Sequence, residues 1–172
     1  MIKHVNPLRI NVGFLVKAEV GYSRTIEFDV DEIALADDLT LRDLRGAATF
    51  GRTPQGLVTD VNLSGRTLTE CARCLDEFYL PVATEFTELY AFDERSVTES
   101  QLLVPANHQI DLAPIGREYL LLDTPITPLC RPGCKGLCPV CGINRNREQC
   151  EHEQSPINPQ FSILKDLIDP TE

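Results

Sequence analysis

The sequence contains no tryptophan, a single methionine and only 6% aromatic residues in 172. A core built from this chain must be largely aliphatic. Long apolar runs are also missing. The longest is four residues, as in Tyr119 to Leu122, far short of the roughly 18 that mark a membrane helix. The opening "MIKHVNPLRINVGFLV" has no sustained apolar stretch and no small-residue cleavage site. No export signal is read there, and the cytoplasm is the expected compartment. Enzyme signatures are absent as well: no G-x-x-x-x-G-K-[ST], no G-x-G-x-x-G, no G-x-S-x-G and no H-E-x-x-H occurs. Acidic residues are plentiful but do not gather around a histidine. Neither an enzyme nor a small-molecule substrate is expected.

Positive charge is scarce. Sixteen Lys and Arg face 26 Asp and Glu, for a net charge of −10. Such a chain is a poor general binder of nucleic acid, whose phosphates need a positive surface. It is better matched to a basic partner, such as a ribosomal protein. The deficit is uneven. Residues 130–150 carry four basic groups and one acidic group, and form the only basic stretch.

What the chain does have is cysteine: Cys71, Cys74, Cys130, Cys134, Cys138, Cys141 and Cys150, five of them within 21 residues. An odd count without an export signal argues for metal rather than disulfides. "CARC" (71–74) and "CPVCG" (138–142) are C-x-x-C pairs, in which two thiolates can hold one metal from a tight turn. Cys130 and Cys134 flank Pro132 and Gly133, and Cys150 is followed by His152. Seven Cys and one His are eight candidate ligands, the number that two closed tetrahedral sites require. Sequence order groups Cys71, Cys74, Cys130 and Cys134 in one site and Cys138, Cys141, Cys150 and His152 in another. A rival grouping joins the two C-x-x-C pairs, and a third uses one metal only. Zinc, as one or two ions, is favoured over iron because structural zinc is the commoner use of such donors. Apparent binding of structural zinc is about 10–16 kcal/mol, against a domain stability of about 5–15 kcal/mol. The cysteine-rich tail is therefore expected to fold only when loaded.

Arg131, Lys135, Arg145 and Arg147 lie on this same stretch. They are candidates for contacting RNA phosphate. The simpler reading is charge compensation, since a four-thiolate zinc site carries a net charge of −2.

The rest of the chain reads as α+β: an antiparallel β-meander or partly closed barrel with short flanking helices and a zinc-stabilised, Cys-rich C-terminal segment. Residues 8–18 suit a short strand or a short helix. Residues 22–30 alternate as a strand, and Asp31 to Asp38 read as an acidic connection. Residues 39–53 have strand character at both ends, and Pro54 and Gly56 mark a turn. Residues 56–70 place Leu57, Thr59, Val61 and Leu63 on one face, and residues 77–92 continue in the same style. The first C-x-x-C then falls at the turn between two strands. Residues 93–109 read as a flexible loop. Asp111 is positioned to cap a helix over 112–122 with Ile115, Tyr119 and Leu122 on its apolar side, although Gly116 interrupts it. Asn158 and Pro159 open a second short helix carrying Phe161, Leu164 and Ile168. The expected division is a body over 1–129 and a metal-binding segment with its helix over 130–172, packed together as one domain.

"CARCLDEF", then "TPITPLCRPGCKGLCPVCGINRN" about 50 residues later, then "CEHE", resembles the bacterial YceD family, the large ribosomal RNA subunit accumulation proteins. "INVGFLVKAEVGYSRTIEFD" is similar to the family's opening, so the resemblance covers most of the chain. Similar chains often read C-x-C where this one has Cys150 and His152. The resemblance implies a non-enzymatic cytoplasmic factor needed for normal levels of large-subunit ribosomal RNA. Large-subunit ribosomal RNA and a basic ribosomal protein are the two partners it suggests. A metal-responsive or thiol redox-sensing protein is the alternative.

Overall fold

A computed structural model describes residues 6–152. Its frame is a four-stranded antiparallel meander of long strands: β2 (Ser23–Ala36), β3 (Leu39–Arg52), β4 (Gly56–Glu70) and β5 (Glu77–Ala91), in the order β2-β3-β4-β5. A second, two-stranded sheet pairs β1 (Arg9–Asn11) with β6 (Gln109–Asp111), and two helices, α1 (Gly13–Val16) and α2 (Ala113–Asp123), accompany it. Residues 8–18 thus supply both a strand and a helix.

Alternation makes the long strands, as the period-two pattern implied. Leu57, Thr59, Val61 and Leu63 are all buried. They pair across to Tyr90, Glu88, Phe86 and Thr84 of β5. Two expectations fail on one feature. The acidic stretch from Asp31 is not a connection, because β2 continues to Ala36 and leaves only Asp37 and Asp38 for the turn. Likewise β3 is one strand rather than two ends. In β2 the inward residues shift from Phe28 to Ile33 and Leu35, with Asp31 and Glu32 both facing solvent. In β3 they shift from Leu39 and Leu41 to Leu44, Ala48 and Phe50. The register against β4 slips between Arg42 and Arg45, and Asp43 takes a left-handed φ of 52°. This is a β-bulge, and Arg66 reaches across from β4 to pair with Asp43. The change of phase hides the strand from a strict period-two reading.

The sheet does not close into a barrel; β2 and β5 remain its two edge strands. Helix α2 contacts both of them and fills the trough across which they would have to meet. Arg117 of α2 pairs with Asp38 at the β2–β3 turn. Gly116 lies against the sheet, where an added Cβ would come within 3.0 Å of Leu63 Cδ1. The glycine that interrupts the helical pattern is therefore what lets the helix approach.

The expected helix is present but rotated. Its buried residues are Ala113, Gly116 and Leu120, whereas Leu122 is 80% exposed. Ile115 and Tyr119 are half-buried at the edge of the core. Asp111 sits one residue before the N-cap and still accepts the Ala113 amide at 3.0 Å. Residues 92–108 contain no helix or named strand, but Leu103 bridges to Ala91 and Gln109 already belongs to β6. The helix expected from Asn158 lies outside the described residues. No helix among the described residues is long and apolar enough to cross a membrane.

Candidate metal centres

The β4–β5 hairpin ends in the loop 71–76, and this loop carries the first C-x-x-C. The Cys71 amide donates to the Asp76 carbonyl at 3.0 Å, and the Leu75 amide donates to the Cys71 carbonyl at 2.9 Å. Leu75 adopts a left-handed φ of 59° to close the turn. The C-terminal segment lies against this tip. The Ala72 amide donates to the Pro128 carbonyl at 2.8 Å, and the Leu137 amide to the Arg73 carbonyl at 2.9 Å. Gly136, at φ 70°, permits that approach, because a Cβ there would stand 3.0 Å from the Arg73 oxygen.

The result is a buried sulfur cluster. Cys71 and Cys134 place their Sγ atoms 3.7 Å apart, and so do Cys74 and Cys130. All four sulfurs lie within 4.8 Å of one another. A tetrahedral zinc with bonds of about 2.3 Å has sulfur–sulfur edges of about 3.8 Å, so the spacing fits. Cys71, Cys74 and Cys134 are almost wholly buried. The second group is Cys138, Cys141, Cys150 and His152, whose ligand atoms also lie within 4.8 Å. Its knuckle is closed by the Gly142 amide donating to the Cys138 carbonyl at 2.8 Å, with Gly142 at φ 74°. Cys138 is buried, while Cys141 and His152 are exposed. The fold assembles the grouping that follows sequence order and keeps the two C-x-x-C pairs in separate clusters.

Electrostatics favour a cation in both. Burial pushes the Cys71 thiol up, but the backbone amides of Cys130, Arg73 and Cys74 outweigh it and hold the thiol at about 6. The amides of Cys141 and Val140 bring Cys138 to about 6. Their neighbours move the other way. The Asp76 amide favours the Cys74 thiolate, yet burial and the sulfurs of Cys71, Cys134 and Cys130 together push Cys74 up to about 12. Cys150 is raised, chiefly by Cys138. In the first cluster Cys71 and Cys134 are thus drawn towards the thiolate while Cys74 and Cys130 resist further negative charge, and in the second Cys138 and Cys150 oppose each other in the same way. A divalent cation removes that conflict.

The four candidate RNA contacts divide. Arg131 donates to Asn146 Oδ1 at 2.8 Å, and Arg147 pairs with Asp76 at 2.8 Å. Both are built into the wall of the first centre. The side chains of Lys135 and Arg145 make no hydrogen bond or ion pair among the described residues. The main-chain amide of Lys135 donates to Asn146 Oδ1 at 2.9 Å. Asn146 is a hub that sequence reasoning missed. It donates to Cys134 Sγ at 3.4 Å and to Asn144 Oδ1 at 2.9 Å. Asn144 in turn donates to Asp76 at 2.8 Å. Such bonds orient ligands and stabilise thiolates. The available signal was two asparagines interleaved with arginines in a segment rich in Gly and Pro, which has few other ways to satisfy its polar groups.

Residues 59–168 match the family described as the large ribosomal RNA subunit accumulation protein YceD. The chain belongs to the YceD family. The matched region spans the second half of the sheet and both clusters. An uncharacterised protein of Mycobacterium tuberculosis is 30% identical over 120 residues, covering 67% of this chain and 58% of that protein. The protein YlbN of Bacillus subtilis is 24% identical over 151 residues, covering 82% of this chain and 88% of YlbN. An Arabidopsis thaliana chloroplast protein named as a YCED homologue is 36% identical over 47 residues, covering 27% of this chain and 15% of its own length. The chain therefore spans less than two thirds of the mycobacterial relative. No solved structure matches.

Proposed function

We propose that this YceD-family chain is a non-enzymatic accessory factor in ribosome biogenesis that supports the accumulation of large-subunit ribosomal RNA, with structural zinc in both clusters. The observation that carries the reading is the convergence of eight donors into two closed four-ligand sets in a chain of this family. Four protein ligands per metal leave no open position for water or substrate, which suits a structural role. Zinc in the first centre would be held by Cys71, Cys74, Cys130 and Cys134, cross-linking the hairpin tip to the C-terminal segment. In the second it would be held by Cys138, Cys141, Cys150 and His152.

Of the two suggested partners, a basic ribosomal protein is the better supported. The net charge of −10 opposes RNA, and two of the four tail cations are engaged within the molecule. The test is to remove the chain from cells and measure the ratio of large-subunit to small-subunit ribosomal RNA. The expected result is a fall in that ratio, restored by the intact chain but not by Cys71→Ser. An unchanged ratio refutes the role. The metal-responsive alternative draws on one observation, the exposure of Cys141 and His152 in the second centre. It predicts that a chelator strips that centre first and that the stripping alters partner binding.

A further inference from the structure

The apolar side of α2 that the sequence marks as core-facing is only partly covered. Because Gly116 turns the helix onto Leu63, Ile115, Tyr119 and Leu122 instead line an open groove of about 580 Å³ between α2, β5 and β6. Leu102 and Ile110 complete its apolar wall. Tyr119 is fixed there by stacking on Phe86, with ring centroids 4.4 Å apart, so the wall is preformed.

Glu88 also lines the groove and is only 7% exposed. A buried carboxylate is ordinarily paired with a cation, and this one pairs with none among the described residues. It accepts the Tyr119 hydroxyl at 2.8 Å and the Ser100 hydroxyl at 2.9 Å, both on Oε1. Oε2 has no partner among the described residues. Its cross-strand neighbour Thr59 is fully buried with an unbonded hydroxyl, so it offers no compensation. The remaining charged groups of the lining, Asp111 and Glu118, are also acidic. Arg9 takes up Asp111, and Glu118 has no ion-pair partner among the described residues.

We propose that this groove receives an apolar segment of a partner protein that carries a Lys or Arg, whose cation pairs with Glu88. The proposal rests on the protein-partner reading above and gives that partner a site. Charge complementarity selects the occupant. RNA is excluded from an acid-lined groove, and the chain's own residues 153–172, in which four acidic groups accompany the single Lys165, are the competing occupant that the test below separates.

The probe is a labelled helical peptide with leucines on one side and lysines on the other, together with a twin in which glutamate replaces lysine. Binding to the full zinc-loaded chain is followed by fluorescence anisotropy. The lysine peptide is expected to bind and the glutamate twin is not. Glu88→Gln keeps an acceptor for Tyr119 and Ser100, and is expected to weaken binding about tenfold, the effect of losing one charge-assisted hydrogen bond. Leu122→Ser, on the surface where it does not threaten folding, is expected to weaken it similarly. Glu27→Gln, on the open face of β2, is expected to leave it unchanged. Equal loss in Glu88→Gln and Glu27→Gln reveals diffuse attraction and overturns the proposal, as does no loss in either groove variant. Lys3 and Lys165 are the lysines of the chain's two ends, and binding that appears only in Lys3→Ala or Lys165→Ala means a segment of the chain itself already fills the groove, which overturns it too. The two readings fail separately. A Glu88→Gln chain that loses the peptide yet restores ribosomal RNA levels refutes the groove alone. Peptide binding that follows the expected pattern, beside unchanged RNA in cells lacking the chain, refutes the ribosomal role alone.

Discussion

Replacing Cys134 by serine leaves three sulfurs at the first centre, and the expected consequence is local rather than global. Without metal, the segment after α2 is held to the hairpin tip by two main-chain bonds, Ala72 to Pro128 and Leu137 to Arg73. Arg73 to Cys134 O, Asn144 to Asp76 and the Arg147–Asp76 ion pair add side-chain ties. At about 0.5–1.5 kcal/mol for a typical hydrogen bond these contribute only a few kcal/mol together. Ordering the backbone costs about 1–2 kcal/mol per residue, or tens of kcal/mol over the segment from Pro128 to Arg147. The segment has little apolar burial to offset this. Its sulfur cluster packs only against Phe78, Leu129 and Cys130, apart from the main core. The zinc proposed for this centre, at about 10–16 kcal/mol for structural sites, would supply the missing contribution. Native-state hydrogen exchange on Cys134→Ser should show the amides of Leu137 and Ala72 losing their protection, while those of Phe50 and Val61 in the centre of the sheet keep theirs. Persistent protection at Leu137 in metal-free Cys134→Ser refutes the reasoning. Loss of protection at Phe50 to the same degree refutes the independence of the two cores.

Elemental mass spectrometry of the intact chain should find about two zinc ions, one per four-ligand set; Cys71→Ser and Cys130→Ser should each lose the same ion and Cys138→Ser the other. Gly46→Ala should destabilise the chain by more than about 2 kcal/mol in urea unfolding, because the new Cβ runs into the Asn62 backbone carbonyl on β4, which cannot move aside without breaking the register. Phe50→Ala, at the largest fully buried side chain, should cost about 3–5 kcal/mol in the same assay. The Arg117 guanidinium bonded to Asp38 holds that carboxyl below its ordinary value. A lowered folded-state value adds stability above the unfolded value and loses it as the pH falls through the folded one. Urea midpoints of the intact chain and Asp38→Asn should therefore differ at neutral pH and converge below about pH 4, the ordinary Asp range.

The meander was legible because alternation is a local property: a residue's face depends on its parity along the strand. Leu57 to Leu63 satisfy this without interruption, and β4 emerged from the pattern. The first half of the sheet emerged only in pieces, 22–30 and the two ends of 39–53, because parity breaks at Asp31–Glu32 and again at Asp43. A bulge inserts a residue that opposes none on the partner strand, and nothing in a single strand's composition announces which partner residue it slips past. The acidic residues there resemble a connection only while their neighbour strand is unknown. Once β3 is in place, they are the solvent face of a strand whose other side is Ile33 and Leu35.

The same distinction explains the two sites. The cysteines were legible because ligand spacing is a local signature, two thiols two residues apart suiting one tetrahedral site wherever the chain carries them, and sequence order alone suggested the pairing that the hairpin produces. That pairing has a topological reason. Cys71 and Cys74 stand at the tip of a hairpin of two 15-residue strands. The chain leaving α2 at Asp123 reaches that tip by Pro128, whose carbonyl accepts the Ala72 amide, and Cys130 and Cys134 follow directly. Cys138 and Cys141 then gather with Cys150 and His152. The groove, by contrast, depends on which side of α2 meets the sheet. Counting apolar residues favours Ile115, Tyr119 and Leu122, but packing is decided by closeness of approach, and the smaller surface of Ala113, Gly116 and Leu120 fits the trough beside Leu63. The helix turns Ala113, Gly116 and Leu120 inward and leaves Ile115, Tyr119 and Leu122 beside Glu88, which pairs with no cation among the described residues. An apolar stripe and a buried carboxylate therefore occur side by side in a chain that otherwise alternates so regularly.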